Sequence, residues 1–497
     1  MAIPPPTGRP LLRFLLPALL LFPAFAGAAK KTPAVTFGAW FPEFWNDFVV
    51  FQRNYTRVDS ISMAQYGAKA DGSVSSHRPE YRGMIRWAQE RGIKVYLTIG
   101  GGPPTHPAAM EGAAGDQCVA DLVKICEKFG YDGVDIDFEE MSGKARPIYT
   151  AWAEKLAAAM RKMSPPRLIR LTVQDSADPE SEQGKAFDYA ALGKIADYLC
   201  VMCYDYAWSE PGSLMPRDYY IKTLAYTRGL VPADKFIPAL PWYGRDWNPA
   251  DKTHEDITWD EWNITTGIVG HLELMELYHP ATRWDEEGGE LTYSYTNEGK
   301  YHEVWLPDSR TFSWMVDEAL KAGVAGIYVW HMAHPDPASW AVLDKKLGKR
   351  PPPKPGRDLI YPETKGRILS FSFSSAGGTL SLTGARFDAS RANQVVWKAR
   401  VPAWTYSRFE VEQVDGAVFA GEWVNGTGEL SEYTLALAAL QPVAATGTPW
   451  LDQSAIKGVR LNIRPGQEAG EASLGDVKFT LVWDKPRKPA RKVPSNR

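Results

Sequence analysis

The chain has 497 residues, more than one ordinary hydrophobic core accommodates, so we expect two or more domains. Hydrophobic residues make up 44% of the chain and charged residues 23%, a balance typical of globular proteins and not of disordered or membrane-embedded ones. The formal net charge of -3 gives no sign of the basic surface that binds nucleic acid, so no nucleic-acid partner is expected.

Residues 1–28 have the pattern of a secretory signal peptide. Arg9 and Arg13 supply positive charge, an apolar run follows, and small residues form a cleavage-site pattern. Pro17 and Pro23 interrupt the apolar run, which is also short for a membrane span. An uncleaved anchor is the alternative. We therefore expect a secreted, periplasmic or cell-surface protein with no membrane span in the mature chain.

Apolar strands alternate with amphipathic helices between residues 34 and 348. Eight strands alternating with helices predict an α/β fold of the (β/α)8 barrel type, in which chemistry occurs at the C-terminal ends of the strands. The alternation is interrupted at about 248–308, where a hairpin turning at 297–299 predicts a small α+β insertion. The predicted strands are residues 34–40, 57–64, 93–101, 131–140, 168–174, 198–204, 236–242 and 324–330.

The stretch from Asp135 to Glu139 alternates acidic and apolar residues. A period of two predicts a β-strand, so Asp135, Asp137 and Glu139 share one face, about 6.5–7 Å apart from one to the next. The apolar residues Val134, Ile136 and Phe138 then occupy the other face as core.

Three carboxylates on one buried face are costly to ionise together. At least one pKa is therefore expected to rise, with protons shared among the three. A carboxyl with a raised pKa is what a general acid needs at neutral pH. The alternative is a solvated acidic edge strand, but the apolar neighbours favour a strand buried on both faces.

The four cysteines are interpreted as buried small apolar residues. Their spacing with histidine matches no metal site, so neither a metal nor another cofactor is expected. The sequence leaves open the disulfide state of Cys118, Cys126, Cys200 and Cys203.

The C-terminal third has a different pattern. Residues 349–366 are rich in proline and predict a stiff linker, and residues 367–484 alternate short strands with turns, which predicts an all-β sandwich. This sandwich is a candidate accessory carbohydrate-binding domain. Its candidate contact residues, although core positions explain each more readily, are Trp397, Trp404 and Trp423. Residues 485–497 form a basic tail that is expected to be disordered.

The motifs together resemble those of family-18 glycoside hydrolases, the chitinase-like enzymes. The family signature Asp-Gly-x-Asp-x-Asp-x-Glu is complete at residues 132–139, and the resemblance covers residues 34–348. Lesser matches follow in the family's order: Thr98-Ile99-Gly100-Gly101, Met202-Cys203-Tyr204-Asp205, Pro241-Trp242-Tyr243-Gly244-Arg245 and Trp330.

The resemblance implies four catalytic residues. Glu139 is implied as the general acid, and Asp137 as the residue that orients and stabilises the substrate's 2-acetamido group. Asp135 is implied as a buried partner that holds or shares a proton, and Tyr204 as a donor to the acetamido oxygen. The implied substrate-binding residues are Trp330 beneath the sugar, Asp205, Met202, Arg245, Trp40, Gly101, Trp242 and Tyr243.

The implied function is hydrolysis of β-linked glycans that contain N-acetylglucosamine, with the substrate's own acetamide as nucleophile. Chitin-type oligosaccharides, peptidoglycan and N-glycans all remain open, because Glu140-Met141-Ser142-Gly143 lacks the aromatic-Pro pair found after the acid in many chitinases. We expect a monomer whose partner is such an oligo- or polysaccharide. The alternative is a weak or inactive glycan-binding lectin, which the presence of Glu139 disfavours.

Overall fold

The computed structural model describes most of the chain. The described residues are 35–42, 45–76, 82–101, 105–177, 180, 182–259, 270–333, 335–349, 359–387, 389, 392, 394–437, 440–443, 451 and 453–480. The predicted signal peptide, the predicted basic tail and residues 350–358 of the predicted linker lie outside them.

Eight parallel strands form a closed barrel, because the first strand pairs with both the second and the eighth. The strands follow one another around the barrel in chain order, and the predicted (β/α)8 fold is confirmed. A short antiparallel strand, Val74–Ser76, is added to the second strand. The barrel strands are Thr36–Phe41, Ser60–Ala68, Lys94–Gly101, Gly133–Phe138, Leu168–Gln174, Tyr198–Met202, Phe236–Pro241 and Gly326–Trp330.

Helices cover the outside of the barrel strands. The helix Trp45–Asn54 was not anticipated from the sequence. It buries Phe48 and Phe51 in the hydrophobic core between the barrel strands and the helices. The other helices of this region are Arg82–Gln89, Thr105–Met110, Gly112–Phe129, Arg146–Lys162, Glu182–Ala186, Tyr189–Ile195, Arg217–Leu230, Ser309–Ala322 and Ser339–Lys346. Single 3-10 turns occupy Tyr55–Arg57, Gly143–Ala145 and Ala233–Lys235.

Each barrel strand is buried on both faces. On the fourth strand Val134 and Ile136 point outward into the large core between strands and helices. Inward-facing residues, among them Trp40, Cys200 and Tyr328, form a separate cluster inside the barrel. A charged residue that points inward therefore needs a partner, because burying an isolated charge costs several kcal/mol or more.

In the described part of the insertion between the seventh and eighth strands, an antiparallel sheet is accompanied by the helix His271–Tyr278. The predicted hairpin is present, with Leu291 paired to Leu306 and Asn297 to Lys300. Gly299 in its turn has a φ of 79°, a left-handed conformation that glycine adopts without strain. The strands are Gly244–Asn248, Thr253–Ile257, Arg283–Asp285, Glu290–Asn297 and Lys300–Leu306.

The C-terminal region consists of two antiparallel sheets around a common core, which confirms the all-β prediction. The first sheet contains Leu359–Ile360, Ile368–Phe373, Gln394–Arg400, Leu430–Ala436 and Gly470–Thr480. The second contains Gly378–Phe387, Tyr406–Gln413, Val418–Ala420, Val424–Asn425, Gln441–Pro442 and Ile456–Ile463. Trp397 stacks on Phe409 across the core, with ring centroids 4.5 Å apart.

Leu359–Ile360 lies within the segment predicted as linker, yet it pairs with Phe479 and Lys478 as part of the first sheet. All four cysteines are buried and free, in agreement with their interpretation as small apolar residues. None of the helices in the described ranges is long and apolar enough to cross a membrane.

Candidate active site

The fourth strand brings three carboxylates to one side of the barrel wall. Asp135 is fully buried in the interior, Asp137 is partly buried, and Glu139 follows the end of the strand and is exposed at the mouth. The three acids share one face of the strand, as the period of two predicts, and form a row from the interior to the mouth of the barrel.

Asp135 is held by side chains from three other strands. Trp40 Nε1 donates to its Oδ2 at 2.7 Å, and Thr98 Oγ1 donates to the same oxygen at 3.0 Å. Thr172 Oγ1 donates to Oδ1 at 2.7 Å. The Arg170 guanidinium binds both oxygens, with Nε at 3.0 Å from Oδ1 and Nη2 at 2.7 Å from Oδ2. The carboxylate is therefore fully occupied and has a fixed orientation.

Arg170 is itself buried, with 1% of its surface exposed, and it lies directly opposite Asp135 on the fifth strand. Its guanidinium carbon lies 3.8 Å from the ring centre of Tyr328 and 4.7 Å from that of Tyr96, and Nη2 also donates to Ser62. Aromatic faces and a bidentate carboxylate together provide a suitable environment for a buried guanidinium.

The Asp135–Arg170 pair determines the charge of Asp135. Burial raises the pKa of Asp135. The charge and hydrogen bonds of Arg170, with the hydrogen bonds from Thr172 and Trp40, lower it by more, so the pKa lies below its usual value. This direction favours an ionised Asp135 at neutral pH, in contrast to the implied role in which it holds or shares a proton. The reason is Arg170, a partner from another strand that the motif does not contain.

The next two carboxyls titrate in the opposite direction. Burial, together with the negative charges of Glu139 and Asp135, raises the pKa of Asp137 well above its usual value. The Glu139 side chain is open to solvent, but the surrounding protein still removes part of its hydration, and this desolvation together with the charges of Asp205 and Glu140 raises its pKa to about 7. Asp137 Oδ1 is buried and has no hydrogen-bond partner among the described residues, which leaves it available to a ligand. Protonatable carboxyls thus lie at the mouth of the barrel.

The segment that follows the sixth strand supplies another wall of the site. Tyr204 is buried in the inward-facing cluster, and burial with the nearby charge of Asp137 raises its pKa, so the phenol stays protonated and can donate a hydrogen bond. Asp205 has a left-handed φ of 62° and accepts hydrogen bonds from Tyr243 and Arg245.

Arg245 does not reach a substrate directly. It is 2% exposed, donates to Asp205 at 2.5 Å and to the Ala207 carbonyl, and lies 4.8 Å from the ring centre of Trp208. These contacts favour support of the loop after the sixth strand over the implied role in substrate binding. Trp208 on that loop is 63% exposed and available for contact.

Trp330 ends the eighth strand and is partly buried, with its ring 5.9 Å from that of Trp40. It packs against the inward-facing cluster that also contains Met202, Tyr204 and Tyr243, so the structure brings these four predicted site residues together. Trp40, by contrast, has no exposed surface, which disfavours the direct contact with substrate that the resemblance implies. Its indole orients Asp135 instead.

Trp242 is also misplaced by the sequence analysis. It lies in the core outside the barrel, where its ring packs 5.0 Å from Trp340, 5.4 Å from Phe312 and 5.5 Å from Phe37. Tyr243, one residue on, points to the interior, because successive residues alternate faces. Gly101 ends the third strand opposite Phe138, which places its backbone beside the acidic strand.

Two further residues of the site, Arg170 and Asp175, are not part of the motifs. Arg170 could have been found, since a charged residue in the middle of a strand with two buried faces demands a buried partner. Asp175 directly follows the fifth strand, and burial raises its pKa to about 7 despite a hydrogen bond from Tyr219. No partner for its buried Oδ2 occurs within the described ranges. Its position after a barrel strand was the available signal.

No group of three or more histidine, cysteine, aspartate or glutamate side chains within the described part of the chain could hold a metal ion. The chemistry derived below uses side chains and substrate alone. A carboxyl with a pKa of about 7 can donate a proton near neutral pH, and its conjugate base can accept one.

Comparisons with known proteins agree with this geometry. The sequence profile of glycosyl hydrolases family 18 matches residues 36–334. The uncharacterized glycosylase YvbX of Bacillus subtilis (strain 168) is 22% identical over 303 residues, which are 59% of this chain and 85% of that protein. The cortical fragment-lytic enzyme of Bacillus anthracis is 24% identical over 234 residues, 45% of this chain and 52% of that enzyme.

Among solved structures, a chitinase from Chromobacterium violaceum ATCC 12472 superposes with a TM-score of 0.57 at 24% identity, covering 64% of this chain and all of that one. A likeness at this identity establishes the fold alone. The profile match, however, spans more than half of the chain and includes the complete acidic signature. The chain therefore belongs to glycosyl hydrolase family 18 and is a glycosidase.

Proposed function

We propose that this protein hydrolyses β-linked glycans containing N-acetylglucosamine by a retaining, substrate-assisted mechanism with Glu139 as the general acid. The observation that carries the proposal is the pKa of about 7 for a carboxyl that is exposed at the mouth and follows Asp137 on the same strand face. An exposed carboxyl that is still protonated near neutral pH can reach and protonate a glycosidic oxygen.

In the first step the acetamido carbonyl oxygen of the substrate attacks the anomeric carbon. The bond from this carbon to the glycosidic oxygen breaks, its electron pair remains on that oxygen, and Glu139 donates its proton there. The product is an oxazolinium ion and a shortened glycan. In the second step the Glu139 carboxylate takes a proton from water, which attacks the anomeric carbon and opens the ring with overall retention.

Asp137 and Tyr204 are suited to hold the acetamido group during this step. The unpartnered Oδ1 of Asp137 can accept the acetamido N–H, and the Tyr204 phenol can donate to the acetamido oxygen. Positive charge develops on the oxazolinium ion, so Asp137 stabilises it more strongly as a carboxylate. The fixed charges of Asp135 and Arg170 beneath need no rearrangement as this charge appears.

The substrate class rests on the mechanism and on the named relatives. A substrate-assisted reaction requires a 2-acetamido sugar at the bond that is cut. The relatives named as a cortical fragment-lytic enzyme and as a chitinase support peptidoglycan and chitin-type oligosaccharides. Trp330 and Trp208 offer ring faces for pyranose stacking. We further propose that the enzyme is exported, on the pattern of residues 1–28.

The test compares two matched oligosaccharides that differ only in the N-acetyl group of the sugar at the cleavage subsite. We expect cleavage of the acetylated substrate alone, with the β-anomer formed first as followed by proton NMR. Equal rates on both substrates, or the α-anomer first, would remove the substrate-assisted mechanism. Product analysis on chitin oligomers, peptidoglycan and a high-mannose glycopeptide then identifies the natural glycan.

A further inference from the structure

The second sheet of the C-terminal region has a cavity of about 470 Å³ on its outer face. This volume falls in the range of small-ligand sites. On the strand Tyr406–Gln413, Phe409 and Val411 point into the sandwich core, so Arg408 and Glu410 point outward into the cavity. The residues of the lining that carry the argument are Thr379, Arg408, Glu410, Trp423, Arg460 and Asn462.

The two guanidinium groups of the lining each have a carboxylate partner, although Glu412, the partner of Arg460, does not itself line the cavity and also lies 3.6 Å from Lys457. Arg408 Nε and Nη2 bind Glu410 Oε1 at 2.8 and 2.7 Å, and Arg460 forms an ion pair with Glu412. Glu410 is only 3% exposed, although it stands on the outer face of a sheet. Each guanidinium group of the lining is therefore already engaged by a carboxylate, and neither is free to form an ion pair with a charged ligand.

Hydrogen-bonding capacity nevertheless remains in the lining. The Nε of Arg460 is buried and has no partner within the described ranges. Asn462 uses its Oδ1 to accept from Thr379, which leaves its amide N–H groups as donors. Both contacts from Arg408 fall on one oxygen of Glu410, which leaves the other as an acceptor. Donors and an acceptor on planar side chains are suited to hydroxyl groups, which both donate and accept.

One wall of the cavity is apolar. Trp423 is partly exposed, and Val418 and Val443 also line this space. The Arg408 guanidinium carbon lies 4.7 Å from the ring centre of Trp423 and helps to orient the indole. Among the candidate tryptophans of this region, Trp397 is in the core and Trp404 is 82% exposed outside the cavity, so Trp423 alone joins an aromatic surface to the polar groups.

We propose that this cavity binds a neutral pyranose unit of a glycan, with the C–H face of the sugar against Trp423 and its hydroxyls on Glu410, Arg460 and Asn462. An uncharged ligand follows from the two guanidinium groups that are already ion-paired, and a ligand with both an apolar face and hydroxyls follows from the two-sided lining. This site is independent of the proposed hydrolysis. It would attach the protein to a polysaccharide surface.

The test measures binding of the full-length chain to insoluble polymers by depletion from solution. The chain carries Glu139→Gln and Trp330→Ala, so that the cleft neither consumes the polymer nor binds it strongly. Chitin and cellulose are the neutral probes and cross-linked polygalacturonate is the anionic one. Trp423→Ala and Asn462→Ala are added separately, and Trp404→Ala is the matched control, an exposed tryptophan of the same region outside the cavity.

We expect binding to a neutral polymer that weakens at least about tenfold with Trp423→Ala and measurably with Asn462→Ala, while Trp404→Ala leaves it unchanged. Absence of binding to both neutral polymers, binding to polygalacturonate alone, or equal binding by the Trp423→Ala and Trp404→Ala chains would overturn the proposal. Thermal unfolding of each variant separates lost binding from lost folding, and Asn462→Ala provides the readout if Trp423→Ala unfolds.

Hydrolysis is measured in parallel with Trp423→Ala in the otherwise unchanged chain. A short soluble oligosaccharide should be cleaved at the unchanged rate, because it needs the barrel cleft only. Loss of polymer binding in a chain that hydrolyses nothing would uphold the cavity and reject the enzyme mechanism. Hydrolysis of the oligosaccharide, with polymer binding that Trp423→Ala does not change, would uphold the enzyme mechanism and reject the cavity as a sugar site.

Discussion

The interior and the mouth of the barrel hold carboxylates from the same strand in different charge states. In the interior Asp135 faces Arg170 on the next strand and is ionised. At the mouth the pKa values of Asp137 and Glu139 are raised, and neither forms an ion pair within the described residues. Carboxyls of one strand thus titrate in opposite directions, because Arg170 binds the interior one, whereas burial and nearby carboxylates raise the pKa values of the other two.

This difference separates two tasks. A buried ion pair with every oxygen occupied contributes to a fixed arrangement, and breaking it exposes an uncompensated charge to a low-dielectric interior. A protonatable carboxyl at the mouth contributes to the reaction, and it contributes less to folding stability than the buried ion pair does. Substitutions in the interior should therefore change stability, and those at the mouth should change turnover.

The largest expected effect is at the mouth. Glu139→Gln removes the transferable proton and should lower kcat on an oligosaccharide about 10²- to 10⁴-fold, without changing the urea midpoint of unfolding. The control is Glu154→Gln, an exposed position on the helix Arg146–Lys162, which should leave kcat unchanged. A kcat within tenfold of the parent would refute Glu139 as the general acid.

In the interior, Arg170→Met leaves Asp135 buried without its cation and should cost about 3–5 kcal/mol of unfolding free energy in urea titrations. The double variant with Asp135→Asn should lose less than the sum of the single variants, since both partners are then neutral. Arg86→Met breaks the exposed pair with Glu90 and should cost about 1 kcal/mol or less. Strict additivity would contradict a coupled pair.

Two tryptophans extend the comparison. Trp242→Phe leaves unfilled space in the core and should lower stability by about 1–3 kcal/mol while KM stays unchanged. Trp330→Phe reduces the aromatic surface on which a sugar can stack at the mouth. It should raise KM, with the free energy of unfolding within about 0.5 kcal/mol of the parent. If Trp242→Phe raised KM and Trp330→Phe lowered stability instead, the placement of Trp242 in the outer core and of Trp330 at the mouth would be wrong.

The smallest effect is a shift in the pH profile. The general acid must be protonated, so kcat/KM should fall about tenfold per pH unit above the Glu139 pKa of about 7. Glu140→Gln removes a negative charge that raises this pKa, so the descending limb should move to lower pH. The measurement uses a neutral oligosaccharide between pH 5 and 9. A limb that stays in place or moves to higher pH would contradict the electrostatic cause.

The barrel and the acidic row were predictable because their signals are local. The alternation of strands and helices, the hairpin before Leu306 and the shared face of Asp135 and Glu139 all depend on residues close together in the chain. Periodicity and turn chemistry act over this range. The family assignment depended on the same local signature and is confirmed.

Other positions were wrong because a motif states which residues are adjacent and not where each points. Trp242 matched a family motif, yet the residue after it faces the interior and Trp242 packs outside. Trp40 and Arg245 lie in the right neighbourhood but are too deeply buried to contact a substrate. Parity along the seventh strand was a usable signal for Trp242, whereas burial depth required the whole barrel.

The linear order of residues was sufficient to establish a closed α/β barrel, an all-β C-terminal region and a strand whose acids face one way, since each follows from short-range periodicity. The three-dimensional arrangement decided which of these acids is protonated, which tryptophans are accessible and where Trp423 meets polar groups. The physical reason is that a pKa or an accessible surface depends on atoms within a few ångströms, and Arg170 reaches Asp135 from 35 residues away along the chain.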